Sequence, residues 1–145
     1  MPAPVVVLRK GIIPSTVYSA LSNADKKKSH RLEFEYRPPV VFAAADYLYH
    51  ATSTAALGAI RVSGLTTRDA RGLPAQDPSK DAFISAAKTA AGAGSLSSSS
   101  TLLRFKPSLS PGPWKAYGAA GEVRTMSSVP ANILERKQGP NWVPV

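Results

Sequence analysis

A chain of 145 residues and 15.3 kDa is long enough to bury one real core and too short for two domains; its 43% apolar residues argue against wholesale disorder. Cysteine is absent, which excludes disulfides and zinc–thiolate sites, and no apolar run approaches the roughly 20 residues of a membrane span. Lysine and arginine number 18 against 9 acids, a net charge of +9 that favours a polyanionic partner: nucleic acid, an anionic membrane surface or an acidic protein.

From the N-terminus, Met1-Pro2-Ala3-Pro4 reads as a start placed on a fragment of a longer protein. The apolar stretch from Pro2 to Leu8 lacks the preceding basic region of a signal peptide, and Val5 to Leu8 is predicted as a short strand. Pro14-Ser15-Thr16 opens a predicted helix with Val17, Tyr18 and Leu21 on one face, running out between Asp25 and Ser29. Lys26-Lys27-Lys28 then fall near its end, where cations suit the dipole; a solvated terminus is the favoured reading and a phosphate patch the sharper one. Arg31 to Tyr36 alternates Leu32, Phe34 and Tyr36 against Arg31, Glu33 and Glu35, the pattern of a half-buried strand. Pro38-Pro39 ends it. Val40 to Tyr49 is predicted as a buried strand, or as a pair with a bend near Ala45-Asp46.

Thr52-Ser53-Thr54 caps a helix predicted over Ala55 to Val62, with Ala56, Leu57 and Ile60 inward and Gly64 as its stop. Thr66 to Ser79 is a polar loop, Ala82 to Ser85 a short strand and Ala86 to Ala91 a small helix. Gly92 to Ser100 is low-complexity. Thr101 to Lys106 returns to strand before a Pro/Gly-rich loop carrying Trp114 and Tyr117. Glu122 to Met126 is a strand, Pro130 to Glu135 a turn or short helix, and the tail from Arg136 an extended closing segment. Many short strands with a few short helices give a sheet-dominated α+β fold, in one domain over residues 1–145.

Two side chains stand out chemically. Of the two histidines, His30 beside the lysine run is read as structural. His50 closes an apolar strand in Tyr49-His50-Ala51-Thr52-Ser53, and a neutral imidazole that donates from one nitrogen and accepts at the other suits a ribose hydroxyl pair. Glu122 follows Tyr117-Gly118-Ala119-Ala120-Gly121, where small residues admit a ligand close to the backbone. A carboxylate there can stabilise positive charge developing at an anomeric carbon; the plainer reading is an edge-strand glutamate paired with Arg124 or Arg104. Phosphate-loop, dinucleotide-fingerprint, H-E-x-x-H and G-x-S-x-G patterns are all absent. A metal-independent nuclease using one general base stays open.

In order along the chain, these pieces resemble the ADP-ribosyltransferase toxin family. Tyr47-Leu48-Tyr49-His50-Ala51-Thr52-Ser53 with Leu57, Ile60 and Ser63-Gly64-Leu65 is similar to its first motif, Phe83-Ile84-Ser85-Ala86-Ala87 to its middle motif, and Glu122 to the glutamate that opens the strand of its third. Ser128-Val129-Pro130-Ala131-Asn132-Ile133 looks like a segment that often follows. The resemblance spans Tyr47 to Leu134. It implies a split β-sheet transferase core over residues 40–135 behind an N-terminal extension of residues 1–39, and NAD as cofactor. His50, Thr52, Phe83 and Ser85 would then hold the dinucleotide, and Glu122 would be catalytic. The histidine class usually has a tyrosine in the middle motif; Phe83 stands there instead, and Tyr117 is the candidate substitute. An arginine-class alignment through Ser99-Ser100-Thr101 fails where Ala120 stands two residues before Glu122.

Small cysteine-free transferase domains of this kind resemble the C-terminal tips of bacterial polymorphic toxins such as Rhs proteins. This resemblance implies a secreted effector acting in a target cell's cytoplasm and matched by an immunity protein, expected to be acidic. The favoured acceptor is RNA, with Arg68, Arg71, Lys80, Arg104, Lys106 and Arg124 on its phosphates; a protein acceptor is the alternative. Two rivals remain: an NAD-using RNA 2′-phosphotransferase, and a basic RNA-binding module without catalysis. No membrane partner is expected.

Overall fold

The computed structural model describes residues 8–96, 101–118 and 121–145. Most of the strand expected at Val5 to Leu8 and the last four residues of the low-complexity stretch lie outside these. The first described elements are two helices, α1 (Ser15–Ala20) and α2 (Asn23–Tyr36). Ser22 separates them and caps α2, its side chain accepting a hydrogen bond from the Asp25 amide at 3.2 Å.

The expected strand at Arg31 to Tyr36 is therefore corrected: these residues form the C-terminal half of α2, and Lys26 to Lys28 lie in its first half. Ala24, the lysines, Leu32 and the glutamates are all good helix formers. Their helical period is hidden because two of the three residues buried by α2, Ser29 and Glu33, are polar; only Phe34 is apolar. Ser29 Oγ donates to the Leu8 carbonyl at 2.6 Å. The Glu33 carboxylate accepts from the Gly11 amide at 3.1 Å and lies 3.4 Å from Arg37 Nε. Both polar groups are buried with hydrogen-bond partners from the segment before α1. Pro38-Pro39 ends the helix.

Residues 40–47 form no strand, which corrects the predicted run from Val40 to Tyr49. Val41 is 92% exposed, and the bend expected at Ala45-Asp46 is a tight turn in which the Asp46 amide donates to the Ala43 carbonyl at 3.1 Å. The strand starts later, as β1 (Leu48–Thr52), and carries His50 at its centre rather than its end. A short 3-10 turn (Thr54–Ala56) leads into α3 (Leu57–Ser63). Gly64 ends α3 at φ 73°. An added Cβ there would collide with the Val129 carbonyl, so glycine alone lets Leu65 and Val129 exchange amide hydrogen bonds of 2.9 Å in both directions.

The remaining elements are β2 (Ile84–Ala87), α4 (Ala90–Leu96), β3 (Thr101–Phe105), a 3-10 turn (Pro107–Leu109), β4 (Lys115–Ala116), β5 (Glu122–Thr125), a 3-10 turn (Ala131–Ile133), β6 (Glu135–Gln138) and β7 (Asn141–Pro144). All strand pairs are antiparallel, in the order β4-β5-β2-β1-β3-β6-β7. The result is the expected α+β class.

The two halves of the sheet are joined unequally. Five register pairs hold β1 to β3 and four hold β2 to β5, but β1 meets β2 only at Tyr49↔Ala87. The sheet splays at its centre. On one face Leu48, Leu103, Phe105, Ile84, Ala86 and Val123 form the core with Leu57, Ile60 and Trp114, each large side chain stabilising by about 1.5–3 kcal/mol. A smaller cluster of Phe34, Ala82 and Phe83, with Tyr117 against it, fastens α2 to the other half.

Candidate functional site

A cavity of about 680 Å³ opens where β1 and β2 diverge, walled by α3 on one side and the loop of residues 66–83 on the other. Alternation along β1 turns His50 and Thr52 to the same side as buried Leu48, and both line it. His50 Nδ1 lies 2.6 Å from the Ser85 carbonyl. A carbonyl only accepts, so Nδ1 carries the proton and a neutral ring keeps Nε2 as an acceptor. Burial lowers the pKa of His50, partly opposed by that hydrogen bond. The ring is thus oriented, its neutral form is favoured, and Nε2 can accept a hydrogen bond from a hydroxyl.

Phe83, 8% exposed, and Ser85 also line the cavity. The loop opposite contributes Arg68, Arg71 and Lys80. Its shape comes from two aspartates: buried Asp81 accepts from the Gln76 and Asp77 amides at 2.8 and 3.1 Å, and Asp77 accepts from Ser79 Oγ and N at 2.6 and 2.9 Å. Those bonds hold the Asp77 carboxyl below its usual range. From outside, α2 holds the same loop, with Lys27 and Arg31 on the Asp69 carboxylate at 2.7 and 3.0 Å.

Glu122 and Tyr117 do not line this cavity. The Glu122 carboxylate, 12% exposed, accepts from Arg124 Nε at 2.9 Å, and Arg124 also donates to the Ser79 carbonyl at 3.3 Å. Pairing with Arg124 is the plainer of the two sequence readings of Glu122, but β5 is flanked by β4 and β2 and is no edge. Tyr117 is enclosed by the guanidinium groups of Arg37 and Arg124, 4.0 and 4.6 Å from its ring centroid, and by Phe34 and Phe83. Its hydroxyl is buried with no hydrogen-bond partner, and burial raises its pKa against the pull of the two arginines. With its faces covered, Tyr117 is not presented to a ligand in the cavity. Phe83 is the physical link: it lines the cavity and packs on both Phe34 and Tyr117.

The six cations expected to share one phosphate surface separate into three places. Arg68, Arg71 and Lys80 face the cavity, Arg124 is committed to Glu122, and Arg104 and Lys106 lie with Tyr47. Asp77 and Asp81 of the cavity wall are not marked by the sequence, because loop aspartates carry no periodicity. Arg37 and Phe34 went unseen because α2 was read in part as strand. His30, read as structural, hydrogen-bonds the Tyr18 hydroxyl at 2.7 Å.

Among the described residues no group of three or more metal-ligating side chains converges, and no helix is long and apolar enough to cross a membrane. No protein-family model, curated protein or solved structure matches this chain.

Proposed function

We propose that this domain is an NAD-dependent ADP-ribosyltransferase that cleaves the nicotinamide–ribose bond and passes ADP-ribose to a macromolecular acceptor, favoured to be an RNA 2′-hydroxyl. The observation that carries the reading is His50, fixed by the Ser85 carbonyl at 2.6 Å, in a cavity opened by the splayed β1–β2 junction and faced by three cations. A volume of about 680 Å³ falls among cofactor sites. The neutral ring suits a ribose hydroxyl, and Arg68, Arg71 and Lys80 suit a pyrophosphate. In the reaction the C1′–N bond breaks, nicotinamide leaves with the electron pair, and the acceptor oxygen bonds to C1′ as its proton is released to water. Glu122 supplies negative charge opposite the developing cation, which requires it to exchange Arg124 for substrate and the dinucleotide to run past Phe83.

Purified domain incubated with labelled NAD and total cell extract, then digested separately with nuclease and protease, locates the acceptor. Label lost to nuclease supports RNA, and label lost to protease redirects the reading to a protein acceptor. If neither fraction gains label and NAD persists, the reading fails. The toxin role, with delivery to a target cell and an acidic immunity protein, rests on the resemblance and the charge of +9.

One observation favours a second reading, the NAD-using RNA 2′-phosphotransferase. Glu122 stands outside the cavity wall, and that family has an early histidine and relies on arginines and a second histidine rather than a glutamate. His30, the other histidine, is bonded to Tyr18 and does not line the cavity. Full activity in Glu122→Ala selects this second reading.

A further inference from the structure

The sheet carries a second concentration of chemistry on the face opposite His50. Side chains alternate along β1, so Tyr49 points away from His50. Register then continues its face across the strands: Tyr49 pairs with Arg104, Arg104 with Glu135, and Lys137 with Trp142. The Arg104 guanidinium is sandwiched 4.3 Å from the Tyr47 ring centroid and 4.5 Å from that of Trp142. Tyr49 meets Trp142 at 5.9 Å between centroids, and Lys106 Nζ lies 5.5 Å from the Tyr47 ring. All three rings are half-buried, so part of each meets solvent. Beside Tyr47 and Tyr49 lies a hollow of about 350 Å³ that also takes in Phe42 and Lys88.

We infer that this face is a binding site for single-stranded RNA, with one base in the hollow against the tyrosines, a neighbouring base on Trp142, and phosphates on Lys88, Lys106 and Lys137. Unpaired bases expose π-faces that stack on aromatic rings whatever their sequence, while cations follow the backbone. The charge balance fits. Glu135 is neutralised by Arg104 at 3.0 Å; Asp46 at the rim of the hollow accepts from the Ala43 amide at 2.8 Å and keeps its charge, so three lysines stand against one carboxylate. An acidic protein would use those lysines but has no need of rings interleaved with them. The site deepens the reading above and rests only on its RNA half: it gives the acceptor strand a holding surface separate from the NAD cavity.

The test uses the whole chain without NAD, so its failure leaves NAD chemistry untouched. A labelled single-stranded oligoribonucleotide of mixed sequence and its duplex are titrated while tryptophan fluorescence and anisotropy are read. Trp114 is 3% exposed, so quenching reports Trp142. The single strand should bind more tightly than the duplex and quench. Lys106→Glu and Lys137→Glu should each lower the slope of log affinity against log salt by about 0.7. Trp142→Ala should weaken binding by about fivefold or more and Trp142→Phe should restore most of it. Binding without quenching and insensitive to both lysine changes would place RNA elsewhere and overturn the proposal. So would capture of poly-glutamate with no RNA binding, the signature of an acidic protein partner.

Discussion

His50 and Glu122 are both polar side chains on the central strands of one sheet, yet the fold treats them oppositely. His50 spends one nitrogen on a backbone carbonyl and keeps the other for the cavity. Glu122 gives its carboxylate to Arg124, and the neighbouring Tyr117 is walled in by two arginines and two phenylalanines. The first centre stands ready for a ligand; the second is closed by intramolecular partners, among them Phe34 and Arg37 at the C-terminal end of α2. Availability is set by the partners a group already has, not by its position on a strand.

The largest expected effect tests whether the closed centre opens during turnover. Glu122→Gln keeps an oxygen to accept from Arg124 and should cost about 1 kcal/mol of stability. NAD cleavage should nonetheless fall at least about a hundredfold, measured as nicotinamide release. Unchanged release would leave Glu122 as a structural partner of Arg124 only. Next in size, Phe34→Ala removes the ring that packs on Phe83 and Tyr117 and should destabilise the fold by about 3–5 kcal/mol in denaturant titration. A cost below about 1 kcal/mol would mean that α2 does not hold the closed centre.

The open centre is tested by ligand stabilisation. NAD at a hundred times its dissociation constant should stabilise the wild type by about 2.7 kcal/mol, and His50→Ala should lose most of this gain in a thermal-shift titration. The pH dependence has a defined sign. Burial lowers the pKa of His50 and of His30 from 6.5 in the fold, so the unfolded chain takes up protons first as pH falls. Stability should be flat above the unfolded value near 6.5 and decline below it, with a slope of up to about 1.4 kcal/mol per pH unit for each histidine. His50→Gln should remove its share; an unaltered acid slope would exclude His50 as a source. The smallest effect concerns the loop: Asp69→Asn weakens the part-exposed contacts with Lys27 and Arg31 and should cost about 0.5 kcal/mol. Because Asp69 has a lowered pKa, chiefly from the Lys27 hydrogen bond, its contribution is present above the unfolded value near 3.9 and is lost as pH falls below it. A larger loss of stability at pH 7 than in the Phe34 variant would reverse the order of importance.

Local signals were read where side-chain chemistry acts within a few residues. The turn at Gly64, the helix before it, the strands at Thr101 and Glu122 and the 3-10 turn after Pro130 were all legible, because helical period, positive-φ glycine and strand alternation are short-range. The capping expected from Thr52-Ser53-Thr54 is not seen, since neither the 3-10 turn nor α3 has a side-chain cap. The helix over Arg31 to Tyr36 was not legible. Its buried face carries Ser29 and Glu33, whose burial is permitted by partners at Leu8 and Gly11 that lie far outside any window around them. The late start of β1 was hidden for the converse reason: apolar Val41 is 92% exposed, so hydrophobicity there marks no strand.

By itself the sequence determined the α+β class, the cationic balance and the positions of His50, Phe83, Ser85 and Glu122 on or beside strands. Tertiary structure alone decided that the sheet splays between β1 and β2, that three of six expected cations face the resulting cavity, and that Glu122 stands outside its wall. The physical reason is range. Backbone preference and alternation act over a few residues, whereas the opening of a sheet depends on strands brought together from far apart along the chain, Tyr49 against Ala87 and Ser85 against Arg124.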